Sequence, residues 1–234
     1  MQIDLDFKLQ NRSDLAIKFL DNNLEDLIHL DKSKWILCAL SLDAIPVTSI
    51  IAKRLQFKYD ILFSEMISAP NNQECFISIV TETEETVIHT ELLDSFEIGL
   101  DYIHGQSRVK YEEDILKKIY RYRKGEKLVS MKDKNILFID DSCENNLIAL
   151  AGIKTAINTG ANKIAYMCGI ISKEIEVLFR KEIDELFYLH STYNYIDNQH
   201  YYVEKLKKME EDDILPILEN SENFIVNIEE KMTK

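Results

Sequence analysis

Two aspartates stand side by side in the run Phe138-Ile139-Asp140-Asp141-Ser142-Cys143, which continues Glu144-Asn145-Asn146-Leu147-Ile148. An apolar stretch here gives way to an acidic turn and then to a helical pattern. Paired carboxylates at a strand tip can hold a ribose diol or a divalent cation, and the helix N-terminus behind them can receive a phosphate. A plainer role fits the same letters, because Asp and Asn are favoured N-cap residues where a strand turns into a helix. On this segment alone both readings stand. Ser142, Glu144, Asn145 and Asn146 complete the turn as candidate ligand-binding residues. Cys143 adds a thiol that a helix N-terminus would activate but that its acidic neighbours oppose, so it reads as an ordinary loop cysteine.

Such a turn needs a buried strand before it and a helix after it. Residues 135–139 and 146–158 have those patterns, and 163–171 reads as the next strand. Upstream, Asn11 opens a helix whose Leu15, Phe19, Leu20, Leu24, Leu27 and Ile28 recur at helical spacing. Residues 35–40 form a short apolar strand, 41–44 a turn, and Pro46 suits the first turn of a helix running to Leu55. With a strand at 59–63, this unit requires a right-handed parallel crossover. An excursion follows, with strands at 75–80 and 86–90, a short helix at 92–102, and an amphipathic helix at 112–123 ended by Gly125. A helix at 174–180, a strand at 184–189, a tyrosine-rich loop and a charged helix at 203–211 complete the series. Residues from Ser221 onward read as a loosely tethered acidic end. The prediction is a doubly wound, mostly parallel α/β sheet whose functional loops follow the strand ends.

The formal net charge of −13 disfavours nucleic acid and anionic lipid as partners. No apolar run is long enough to span a membrane. Cys38, Cys75, Cys143 and Cys168 are scattered without a CxxC pair, which suits reduced thiols and a cytoplasmic location. No Ser-His-Asp order, metal-ligand histidine spacing or Walker-type loop is present. Lys117, Lys118, Arg121, Arg123, Lys124 and Lys127 concentrate positive charge on one helix and its end, as a solvated face or as a contact for an acidic partner. His190 and His200 flank Tyr193, Tyr195, Tyr201 and Tyr202, which suit either packing at the sheet edge or a binding surface.

Taken in order, these segments resemble the type I phosphoribosyltransferases, in particular a stand-alone bacterial subfamily, over residues 17–219. The family's first strand ends in a Pro-Arg-Gly-Gly-type turn before a Val-Pro-Val-Ala helix start; here the text is Ser41-Leu42-Asp43-Ala44-Ile45-Pro46-Val47. Its second strand runs through Arg-Lys to an Ala-Pro-Gly-Asn-Pro-Glu loop; here Glu65 falls near the lysine, ahead of Ala69-Pro70-Asn71-Asn72-Gln73-Glu74. Its signature Asp-Asp-Gly and Thr-Gly-Ala-Thr loop becomes Asp140-Asp141 with Asn145-Asn146-Leu147-Ile148. The resemblance implies one domain over 1–219, with a hood from about 1–30 and 75–127 and an acidic tail at 220–234. It also implies that Asp140 and Asp141 contact ribose hydroxyls and, through water, magnesium. The departures at Leu42, Asp43, Ala44, Glu65 and the Asn145–Ile148 turn remove countercharge, glycines and hydroxyls from a polyanion site. We therefore expect a relative without cofactor that has lost transfer and acts as a binding, scaffolding or regulatory module. Its partner would be a protein, a second copy of itself, or a nucleoside or other small molecule. The alternative is an active phosphoribosyltransferase using magnesium and an altered site.

Overall fold

The computed structural model describes residues 7–143 and 146–226. Asn11 caps α1 (Arg12–Ile28), its side chain accepting from the Ser13 and Asp14 amides. Strand β1 (Trp35–Ala39), helix α2 (Ile45–Leu55) and strand β2 (Lys58–Ile61) then make the predicted parallel crossover. β6 (Asn135–Ile139), α6 (Asn146–Thr159), β7 (Lys163–Ser172), α7 (Lys173–Glu182) and β8 (Glu185–Thr192) continue the winding. The central sheet has the order β2-β1-β6-β7-β8 and is parallel throughout.

Alternating residues divide the core between the two faces. Leu37, Ala39, Leu137, Ile139, Ala165 and Met167 pack with α1 and α2. Ile36, Cys38, Ile136, Phe138, Tyr166 and Cys168 pack with α6 and α7.

The excursion is an antiparallel sheet of β3 (Ser64–Ala69), β4 (Asn72–Thr81) and β5 (Thr86–Ile88). The single helix expected at 92–102 is instead two, α3 (Thr90–Ser95) and α4 (Leu100–Lys110). The chain breaks between them at Glu97, whose φ of 53° no α-helix accepts. A π-helical turn at Tyr111–Ile115 joins α4 directly to α5 (Leu116–Arg123). The basic face expected on α5 is largely consumed within the chain: Lys118 pairs with Glu65, Arg121 with Glu211, and Arg123 is fully buried. Arg123 joins Asp60 at 3.4 Å to Glu82 and lies 4.9 Å above the Phe63 ring.

Two expectations about the C-terminal region fail. Residues 203–210 are not helical, because their backbone is spent on tertiary partners: Leu206 N–H donates to Gln199 and Met209 N–H to Asp43. The helix is α8 (Glu211–Glu219), started by a capping box between Glu210 and Asp213. The segment after it is not loosely held up to residue 226. Tyr59 N–H donates to Asn223 O, and Phe224, Ile225 and Val226 are buried. Among the described residues no helix is long and apolar enough to cross a membrane.

Arg123 is the countercharge that the described residues offer to the two buried acids Asp60 and Glu82. Arg123→Met should therefore cost about 3–5 kcal/mol of unfolding free energy in urea titrations. Adding Asp60→Asn and Glu82→Gln to the same chain should recover part of that loss.

Candidate functional site

β1 and β6 lie side by side with Ala39 opposite Ile139, and their following helices leave to opposite faces of the sheet. That divergence is the switch point at which a doubly wound sheet opens a crevice. The backbone carries both turns into it level, Leu40 N–H donating to Ile139 O and Asp140 N–H to Met167 O. Ser41 bridges the turns: its hydroxyl donates to Asp140 Oδ1 at 3.3 Å and accepts from Ala44 N–H at 3.1 Å. Gly169 on β7 permits the close approach of the second turn, since a Cβ there would meet Asp141 O at 2.8 Å and Leu15 at 2.9 Å.

Asp140 and Asp141 are buried. Burial, followed by the adjacent Asp141 charge, pushes Asp140 well above the usual aspartate range. Burial also raises Asp141, although the Arg12 guanidinium pulls it back down. Both shifts favour a proton on the pair, more strongly at Asp140, whose Oδ1 also accepts from Asp141 N–H at 3.0 Å.

Arg12 is the residue that sequence patterns did not single out. From the first turn of α1 its Nε donates to Asp141 Oδ2 at 3.0 Å and its Nη2 pairs with Asp43 Oδ1 at 3.1 Å. Its Nη1 donates to Lys207 O at 2.7 Å. One guanidinium thus ties together α1, both crevice turns and the strap of residues 203–210. Met209 N–H closes the ring on Asp43 at 2.6 Å. The only sequence signal was an arginine next to an N-cap in a strongly acidic chain, which names no partner.

The remaining predicted residues separate. Leu42 lines a cleft on the hairpin side, Ala44 is buried at the start of α2, and Glu65 pairs with Lys118 rather than facing the acidic turn. The Ser142 hydroxyl is buried with no hydrogen-bond partner among the described residues. Cys143 is buried and its thiol is pushed up to about 12 by desolvation, which makes it inert. Asn146 begins α6, while Glu144 and Asn145 lie outside the described residues. Tyr201 and Tyr202 are buried, the Tyr202 hydroxyl donating to Asp141 O at 3.5 Å, whereas Tyr193 is exposed. His190 stacks on Phe7 at 4.7 Å.

Magnesium needs ionised, reachable oxygens in octahedral array. Asp140 is held toward its protonated form, and one Asp141 oxygen is occupied by Arg12. As arranged, the pair does not fit that ion.

The crystal structure of TT1426 from Thermus thermophilus aligns with 92% of this chain and 99% of its own, at a TM-score of 0.71 and 18% identity. The overall fold is therefore shared along most of both chains. With the 2-1-3-4-5 order of the parallel strands and the crevice between the first and third, the fold is settled. It is a type I phosphoribosyltransferase fold. Purine phosphoribosyltransferase from Pyrococcus horikoshii aligns with 88% of this chain and 99% of its own at a TM-score of 0.44 and 13% identity. No protein-family model and no curated protein matches the sequence.

The raised Asp140 pKa fixes the sign of a pH effect. Between the ordinary aspartate value and its higher folded value, the folded state holds a proton that the unfolded chain has lost. Stability contributed by this group therefore falls as pH rises through that window. Asp140→Asn keeps the oxygen that accepts from Ser41 and Asp141 N–H without titrating, so it should raise the melting temperature at pH 7–8 more than at pH 4. Thermal melts across pH measure this.

Proposed function

We propose that this chain is a phosphoribosyltransferase-like protein that does not transfer phosphoribosyl groups and acts as a small-molecule-binding or regulatory module. One observation carries the reading: Arg12 spans Asp43 and Asp141, so the crevice carboxylates are satisfied by the chain's own cation. A pyrophosphate with its metal would have to displace that clasp. It would then face Asp43 with no glycine in the Ser41–Ala44 turn to admit its oxygens. Each like-charge contact of this kind opposes binding by a few kcal/mol at moderate dielectric. The domain is proposed to carry a hood over the crevice, and to work in the cytoplasm with a protein partner or a second copy of itself.

A second reading has one observation in its favour. Asp140 and Asp141 sit at the tip of β6 in the switch-point crevice, where the family's ribose contacts are expected. Under that reading the protein is an active transferase and the clasp opens during turnover.

Calorimetric titration with phosphoribosyl pyrophosphate and magnesium separates the two. The proposed function predicts no binding heat, and an affinity in the micromolar range would sink it. Arg12→Gln should not create binding either, because the Ser41–Ala44 turn still lacks glycine and the Asn145–Ile148 run still lacks hydroxyls.

A further inference from the structure

The Ser41–Ala44 turn has a second neighbour besides the clasp. Between it and the β3–β4 hairpin opens a cleft of about 850 Å³, a volume suited to a small organic ligand. Leu42, Met66, Phe76, Ile79 and Ile148 give it an apolar wall. Phe76 keeps 41% of its surface exposed there, which is unusual for phenylalanine. Leu42 and Ile148 come from the two turns that depart from the resembled motifs, so those departures give the cleft apolar surface.

The charges at its rim are mostly settled. Lys110 is held by Asp114 at 2.8 Å, Lys118 by Glu65, and Asp43 by Arg12. Lys208, exposed on the strap, is the lining cation with no ion pair among the described residues. A polyphosphate would bring several charges against this single lysine, with Asp43 and Glu65 alongside. A ligand with one negative charge matches it.

We propose that the cleft binds a small molecule with a flat apolar body and a single carboxylate or sulfonate group, the body lying against Phe76 and Leu42 and the anion meeting Lys208 Nζ. The proposal rests on the reading that this crevice does not take a polyphosphate. Lys208 adjoins Lys207, whose carbonyl accepts from Arg12. The clasp therefore also sets the position of the cation that receives the ligand.

The test uses the intact chain and the dye anilinonaphthalene sulfonate, an aromatic body with one sulfonate. Its fluorescence should rise to saturation at one dye per chain, at temperatures where thermal melting shows the protein folded. Lys208→Glu should weaken the binding about fivefold or more, and Phe76→Ser should weaken it as well. Lys53→Glu, on the exposed side of α2, should leave it unchanged, and neutral phenylnaphthylamine should bind less tightly than the dye. Absence of binding, unsaturable binding, or affinity that survives either Lys208→Glu or Phe76→Ser overturns the proposal. These outcomes are separable from failure of the underlying reading, which is decided by calorimetry with phosphoribosyl pyrophosphate whatever the dye does.

Discussion

The guanidinium of Arg12 is the constraint on which the crevice depends. Four chain segments that share no secondary structure meet on it: α1, the turn after β1, the turn after β6, and the strap. Only a planar, multiply donating cation can reach two carboxylates and a carbonyl at once, so lysine would not serve. Of the two carboxylates it neutralises Asp141 is buried, and a buried carboxylate without a partner is far costlier than the same group in water. Beside it, burial raises the affinity of Asp140 for a proton and so lowers the charge left to balance. Gly169 makes the arrangement sterically open by letting the acidic turn and Leu15 sit directly on β7.

The same device recurs at β2, where Arg123 holds Asp60 of that strand and Glu82 of the turn after β4. At each place an arginine draws two acids together that would otherwise repel. An excess of acid in the composition therefore does not mean acid at every site. Inside the crevice and behind the hairpin, each arginine is already committed to two acids. Net charge is thus a coarse guide to polyanion binding. Local countercharge, already committed to internal partners, is what leaves little to hold a polyphosphate.

Most of the fold was legible in the sequence because its signals are local. Short apolar runs at 35–40 and 135–139, caps such as Asn11 and Pro46, and glycine after α5 each specify their element without help from distant residues. The failures have a common physical origin. The strap at 203–210 has a helical composition, but Asp43 and Gln199 take its amides and Arg12 a carbonyl, so tertiary bonds outrank propensity. The break at Glu97 depends on a left-handed non-glycine residue, with Gly99 two residues on as the N-cap of α4. At the site, the acidic turn was visible from strand and turn letters alone. Arg12 was not, since a pairing across 129 residues has no periodicity to reveal it. Asp43 and Glu65 stood out as unusual for a phosphate site, yet what each one faces is settled only by the packing of α1 and α5.

The bond between Tyr59 and Asn223 has a consequence for the sheet as a whole. β2 is an outer strand, and outer strands expose a row of unpaired donors and acceptors that invite another chain to add on. Residues 223 and 224 meet that row, Phe224 bridging to Tyr59 and Asn223 also donating to Phe57 O. The short apolar sequence after α8 thus works as a selvedge, a finished border that keeps the weave from being extended. A chain ended after Glu219 would keep every residue of the crevice and lose its protection against strand-by-strand self-association.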